Sequence, residues 1–293
     1  MKSAFGYYAY RILSWLFGLL PEPAVRRIGY AAGYAFSLYP GAKLRMAERH
    51  QRRVLGPRGN ARKSARRAFA FYGRYWAETF WMQPRRHAAV LSRTHIENID
   101  RLHTAVESGR GVILALPHLG NWEAAGLRAA AEGARVLAVA EELGNERIVE
   151  WFIELRNMLD IDIVLARKGV TRELLKRLRS GGVVALVCDR DLAGSGVEVD
   201  FFGEKTTLPA GPAALADRTG AVLLPVATYF ATGRGHEFTV CPPLEIPEGE
   251  TAEDRTALGT QALAHALEDL IRRAPEQWHL LQPNWPSDRE ERP

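Results

Sequence analysis

Acid is scarce at the start of this 293-residue chain. Among residues 1–90 only Glu22, Glu48 and Glu78 stand against 17 lysines and arginines, while the remainder carries 22 basic and 31 acidic side chains. A basic third on a mildly acidic body points to an anionic surface, either nucleic acid or the acidic face of a membrane. Cysteine is nearly absent too. Cys188 and Cys241 have no metal-ligand spacing, which argues against a disulfide scaffold or a cysteine-based metal site and fits a reducing compartment. No internal repeat is visible, and no P-loop, G-x-G-x-x-G or G-x-S-x-G turn occurs in a strand–turn–helix setting, which removes most nucleotide and serine-triad chemistry. Long apolar runs are missing as well. The most apolar segment, 5–20, is broken by Arg11 and closed by Pro21, too short for a span of about 20 residues. No convincing cleavage site follows it, so a removed signal peptide is not expected.

Phe5, Tyr8, Ile12, Trp15, Leu16 and Leu19 recur in that segment at helical spacing, with Trp and Tyr suited to an interface. The spacing predicts a helix lying in or near a membrane surface, the alternative being an ordinary core helix. Residues 1–90 read as four helices, near 4–19, 23–38, 43–55 and 61–81, separated by Pro21, Pro40 and the Gly56-Pro57-Arg58-Gly59 turn. From about residue 91 short aliphatic strands (111–116, 135–140, 161–165, 183–188, 221–228) alternate with helical stretches (123–132, 145–158, 171–179, 210–219). Residues 236–241 are expected to add a strand, antiparallel at an edge, and 251–274 a last long helix. Such alternation predicts an α/β fold, with a mostly parallel central sheet flanked by helices and an N-terminal helical platform that associates with membrane. With no linker visible, 1–293 is expected to be one domain, its body spanning 91–285.

Ligands of open α/β sheets bind outside the carboxyl ends of the strands. Three predicted strands end in chemistry there: "GVILALP" in His118, "ARVLAVA" in Glu141 and Glu142, and "GVVALVC" in Asp189, Arg190 and Asp191. His118 precedes a helix expected to begin near Asn121, whose dipole favours an adjacent developing anion. Glu123 falls in its first turn, close enough to reach back. An imidazole held by a carboxylate is an oriented general base for an alcohol. Either Glu123, by its nearness in sequence, or Asp189, by its strand-end placement, can hold it. No metal site is expected, since His118-x4-Glu123 lacks an i, i+4 histidine pair.

In Asp189–Ala221, Gly194, Gly196 and Gly203 surround the Phe201-Phe202 pair. The residues leave two readings open, a mobile wall of an apolar groove or a hairpin folding both rings onto the core. Leu208-Pro209-Ala210-Gly211-Pro212 opens a small-residue helix suited to close approach of a ligand. Together these features suit acyl transfer to a lipid-borne alcohol better than a nucleic-acid-binding protein, which would explain the basic helices but not the strand-end cluster.

"PHLGNWE" is similar to the H-x4-[D/E] motif of membrane-associated acyltransferases related to the lipid A biosynthesis lauroyl/myristoyl enzymes. "GVEVDFFG" with "LPAGPAALADRTGAVLLPV" resembles their second signature, and the likeness spans essentially the whole chain. "DRDLAGSGVEVDFFG" looks closest to the actinobacterial branch that acylates phosphatidylinositol mannosides. That resemblance implies transfer of a long acyl chain, typically palmitoyl, from acyl-CoA as co-substrate, with no cofactor, to a mannose hydroxyl at the cytoplasmic face of the cell membrane, the protein being peripheral or monotopic on an anionic inner-membrane surface. It implies His118 as general base and Glu123 as the motif carboxylate. Asp189 stands where the family usually has glutamate as partner of the histidine, and is favoured as the orienting group, with Glu123 supporting the turn. Glu141 and Arg156 are implied to contact the sugar, and Asn121 and Arg190 are counted with them as substrate-binding. Arg190 or backbone N–H groups would hold the oxyanion, residues near Phe201 and Phe202 the acyl chain, and Arg167, Lys168 or Arg190 the CoA phosphates. Arg26, Arg27, Arg49, Arg52 and Arg53 are expected to meet anionic headgroups. A lipid A precursor or another glycolipid is the alternative acceptor.

Overall fold

A computed structural model of the chain describes residues 2–141, 145–167, 169–191, 194–233 and 235–289, the side chains of 2–7 and 9 excepted. Four helices come first: α1 (Lys2–Leu19), α2 (Glu22–Phe36), α3 (Ala42–Leu55) and α4 (Ala61–Trp81). Then follow α5 (His87–Leu91), β1 (Thr94–Glu97), α6 (Ile99–Glu107), β2 (Val112–Leu116), α7 (Trp122–Ala131), β3 (Val136–Ala140), α8 (Glu146–Met158), β4 (Asp162–Leu165), α9 (Val170–Arg179) and β5 (Val183–Val187). A hairpin of β6 (Val197–Phe201) and β7 (Glu204–Leu208) leads into α10 (Gly211–Thr219), β8 (Val222–Phe230), β9 (His236–Val240) and α11 (Ala252–Arg273).

Seven strands form one sheet in the order β1-β9-β8-β2-β5-β3-β4, parallel throughout except where β8 meets β9. Parallel strands covered on both faces need apolar side chains on both, and β2 is buried at all five positions. Ile113 and Ala115 pack with Leu174 and Leu178 of α9 and Leu267 and Ile271 of α11. The alternate residues Val112, Leu114 and Leu116 pack with Leu102 of α6 and Leu127 of α7. The expected mostly parallel α/β sheet is therefore present. β1 and α6 lie outside the elements expected from sequence, because Arg93, His95 and Glu97 around a four-residue strand mask any apolar run.

Helix α4 is the spine of the N-terminal part. Asn60 caps it by accepting from the Lys63 N–H at 2.9 Å, and its small residues let α2 approach closely. A Cβ at Gly33 would collide with the Phe69 carbonyl, and one at Gly73 with the carbonyl of Gly29. α1 lays Tyr10 among Trp76, Phe80, Trp151 and Phe152, with Phe17 stacked on Phe80. Its other face leaves Tyr8, Ile12, Leu13, Trp15, Leu16 and Leu19 exposed. The side chain of Phe5, counted with that face from the sequence, lies outside the described residues. Among the described residues no helix is long and apolar enough to cross a membrane.

Two arginines expected at the surface sit inside instead. Arg26 is buried, with its Nε 2.9 Å from Glu78 and one terminal nitrogen 2.8 Å from Glu22. Arg53 lies over the Trp285 ring and pairs with Glu204 and Asp288. In both cases a guanidinium that helical spacing cannot distinguish from a solvated one answers a buried carboxylate. Both cysteines are free.

Candidate active site

Register brings the candidate base to its partner. β2 and β5 are adjacent and parallel with Leu116 paired to Val187, so His118 and Asp189 stand two residues beyond paired positions. Each strand stops there: Pro117 ends β2, and the chain turns sharply at Gly120, whose φ is 62°. A Cβ at Gly120 would collide with the Thr228 carbonyl on β8. Gly120→Ala therefore adds left-handed strain to a clash, and is expected to lower unfolding free energy by more than ~1 kcal/mol, with a lowered denaturation midpoint as the check.

The turn is held from outside as well. Gly120 N–H donates to the Gln277 carbonyl at 3.0 Å, and His279 N–H to the His118 carbonyl at 2.8 Å. His279 Nε2–H donates to the Gly120 carbonyl at 3.1 Å. Burial pushes the His279 imidazole down to about 3, so it stays neutral. These residues belong to the segment following α11, whose Trp278 and Asn284 also reach Asp189.

Asp189 is completely buried and accepts from three donors. Its Oδ1 lies 2.6 Å from His118 Nδ1; its Oδ2 accepts from the His118 backbone N–H at 3.0 Å and from Trp278 Nε1–H at 2.7 Å. Burial alone would raise the carboxyl, but the imidazole, the indole and the backbone N–H outweigh it and hold it below its ordinary value. An ionised carboxylate only accepts, so Nδ1–H faces Asp189, and it is Nε2 that carries the lone pair of the neutral imidazole. That nitrogen has no hydrogen-bond partner among the described residues, and the side chain is 29% exposed. The geometry is that of an oriented base.

Glu123 does not reach His118. It is buried, and Arg156 grips it through Nε at 3.0 Å and a terminal nitrogen at 2.8 Å, while Tyr75 Oη donates to it at 3.2 Å. The guanidinium resists deprotonation: desolvation works against its charge, but Glu123 overrides it. The first turn of α7 points Glu123 toward α8, away from the strand edge. Asn121 is also withdrawn. Its Oδ1 caps α7 by accepting from Ala124 N–H, and its Nδ2 donates to buried Glu78 at 3.0 Å, so its amide is used inside the protein and is absent from the cavity lining. Glu141 is half-exposed at the end of β3 and lies 3.3 Å from Arg190. Arg190 Nε is buried without a partner among the described residues.

His118, Glu123, Glu141, Arg156 and Arg190 line one cavity of about 780 Å³ at the carboxyl edge of the sheet. Its walls are mainly apolar: Ala125, Gly126 and Ala129 of α7, Ala138 of β3, and Phe152 and Ile153 of α8. Pro209, Ala210, Gly211 and Pro212 line it too, as the small-residue opening of α10 suggests. Phe201 and Phe202 do not. They lie in the core against Trp278 and Trp285, because the glycines close a tight β6–β7 hairpin and the rings fold inward. The expected apolar wall is instead built by α7, α8 and the aromatic Tyr72, Tyr75 and Trp76 of α4. Glu142 and Lys168 lie outside the described residues, and Arg167 is exposed and absent from the lining. Trp278, His279 and Asn284 have no counterpart among the residues singled out from sequence. The available signal was the density of Trp, His and Asn in "QWHLLQPNW", too much for a plain connecting segment. Among the described residues no group of three or more His, Cys, Asp or Glu side chains is disposed to hold a metal ion.

Known proteins are similar to this chain in sequence. A phosphatidylinositol mannoside acyltransferase of Mycobacterium tuberculosis is 40% identical over 278 residues, covering 92% of this chain and 85% of that protein. One from Mycolicibacterium smegmatis is 36% identical over 274 residues, 92% and 88% of the two chains. A lipid A biosynthesis acyltransferase of Haemophilus influenzae is 24% identical over 199 residues, 65% of this chain and 60% of that one. The family model of the bacterial lipid A biosynthesis acyltransferases matches residues 1–287, and with that likeness running from α1 to the segment that clamps Asp189, the chain belongs to that family.

Proposed function

We propose that this protein transfers a long-chain acyl group, palmitoyl in the first instance, from acyl-CoA to a mannose hydroxyl of a phosphatidylinositol mannoside. The observation that carries the reading is the His118–Asp189 pair, with its available Nε2, where His118 lines a mainly apolar cavity. The relatives named above supply the acceptor class. His118 Nε2 takes the hydroxyl proton as the oxygen bonds to the thioester carbonyl carbon. Asp189 stabilises the imidazolium, and collapse of the tetrahedral intermediate expels the CoA thiolate, which takes that proton and leaves as the thiol. No acyl-enzyme is required. The oxyanion needs a donor, yet the N–H groups of His118, Leu119 and Gly120 are all engaged, with Asp189, the Pro117 carbonyl and the Gln277 carbonyl respectively. Arg190, with its unpartnered Nε at the cavity wall, is the donor we assign.

The Glu123–Arg156 pair and Glu141 offer the polar side of the cavity to a sugar, and the apolar side to an acyl chain. Exposed Trp15, Ile12 and Leu19 of α1, with Phe36 and Tyr39 nearby in sequence at the end of α2, suit insertion among lipids. Among the basic residues, exposed Arg27 and Arg52 suit anionic headgroups on the cytoplasmic leaflet. The test is incubation of purified protein with radiolabelled palmitoyl-CoA and a phosphatidylinositol mannoside in anionic vesicles. Labelled glycolipid is expected from the wild type, with at least a hundredfold less from His118→Ala. Transfer only to a lipid A precursor would move the acceptor to that alternative; equal activity of the two proteins would remove His118 from the reaction.

A further inference from the structure

The Asp189 carboxylate has more partners than a simple orienting group needs, and one comes from far along the chain. Trp278 is 1% exposed, and its indole N–H donates to Oδ2 at 2.7 Å, shorter than the backbone bond to the same oxygen. Oδ1 is thereby left facing His118 Nδ1 alone. Asn284 Nδ2 fixes the residue's backbone by donating to the Asp189 carbonyl at 3.1 Å. Five hydrogen bonds tie the 277–284 segment to the strand-end turns: two to Asp189, two from His279 to the carbonyls of His118 and Gly120, and one from the Gly120 N–H to the Gln277 carbonyl. A buried carboxylate with a single partner would be free to rotate about its last torsion; here the His118 backbone N–H already ties Oδ2, and the indole adds a second, shorter bond to that oxygen.

Resting on the general-base reading of His118, we propose that Trp278 is a positioning residue of the acyl-transfer site: its indole N–H locks the Asp189 carboxylate and moderates its pull on the imidazole, setting the basicity of His118. The reasoning is electrostatic. A donor to a carboxylate takes up part of its negative charge, leaving less to stabilise an imidazolium on the other oxygen. Without the indole donor the buried charge falls more heavily on His118, which then holds its proton to higher pH. Other groups facing the pair are neutral His279 on the same segment, Cys188 before Asp189, and Tyr75, Glu123, Arg156, Glu141 and Arg190 around the cavity. None of them donates to Oδ2 among the described residues.

Trp278→Phe removes the donor and keeps most of the ring. Trp285→Phe is the control, since Trp285 is equally buried and donates to the Phe201 carbonyl at 3.1 Å instead. In Trp278→Phe, kcat is expected to fall about tenfold with the acyl-donor KM within twofold. The acid limb of kcat/KM should move to higher pH by roughly half a unit to one unit. Histidine-selective NMR should show the His118 midpoint moving by the same amount, and Trp278→His, which restores a ring donor, should bring both back toward wild type. Trp285→Phe should leave limb and midpoint in place. Equal behaviour of the two Phe variants, or an unmoved His118 midpoint, would reduce Trp278 to a space-filling role. The NMR readout needs no substrate, so a wild type that transfers nothing would overturn the acyl-transfer reading while the midpoint still decides this one. Should Trp278→Phe not fold, the wild-type indole resonance decides: it must titrate together with His118, and a pH-insensitive indole proton would overturn the proposal.

Discussion

Asp189→Asn is expected to lower kcat about 10³–10⁴-fold while the protein stays folded. The reason lies in counting acceptors. Asp189 receives the His118 Nδ1–H on one oxygen and two N–H groups, from the His118 backbone and Trp278, on the other. Asparagine has a single acceptor oxygen. Facing the two N–H groups, it turns its own amide N–H₂ toward Nδ1, which must then accept, moving the imidazole proton to Nε2. The base then presents a proton where it needs a lone pair. The opposite amide orientation sets N–H₂ against two donors in a site without water access, which is costlier. Steady-state kinetics beside a denaturant melt check this. Activity within tenfold of wild type would mean that Asp189 does not orient the base, and attention would return to Glu123, although Arg156 now holds that carboxylate away.

Glu78→Gln is expected to destabilise the protein by about 3–5 kcal/mol, the scale for breaking a buried ion pair from one side. Glu78 is one of only three acids in the first ninety residues and is 2% exposed. It accepts from Arg74 at 2.8 Å, His236 at 2.6 Å and Asn121 at 3.0 Å, and lies 2.9 Å from Arg26 Nε in an ion pair. Burial works to raise the carboxyl, but His236, Arg74 and Arg26 overcome it and hold the group far below the usual carboxylate range. A depressed carboxylate contributes stability that is present above the unfolded value, about pH 4.3, and is lost as pH falls below it toward the folded value. Urea melts at pH 7 and pH 3 check both parts: the variant's deficit should be largest at pH 7 and shrink at pH 3. A deficit under 1 kcal/mol at pH 7 would show that the two guanidiniums find water or other partners. Because Asn121 caps the helix that follows the turn of His118, the same change is expected to weaken the site's support.

How much of this was legible in sequence varies by residue. His118 and Asp189 were, because each follows a run of aliphatic residues buried on both sheet faces, and such runs stand out without knowledge of their neighbours. Their closeness was expected from strand-end placement, but the pairing of Leu116 with Val187 that sets it is a matter of register across 71 residues of chain. Glu123 shows the limit: five residues from His118 it reads as the nearer partner, yet helix direction turns it to Arg156. Phe201 and Phe202 show another, since the same two rings serve as groove wall or core filling according to how a hairpin closes.

Local pattern by itself determined the alternation of strands and helices, the basic bias of the first ninety residues, and the histidine and carboxylates at the strand ends. These depend on neighbours within a few residues, where burial and periodicity leave a direct mark. Only the tertiary structure decided which carboxylate holds His118, which arginines face solvent, and that Trp278 and Asn284 close over Asp189 from some 90 residues away. Such choices belong to hydrogen bonds between distant segments. A donor carries no sign in the chain of the acceptor it will meet, and burial, which makes leaving either one unpaired costly, exists only once the segments have packed.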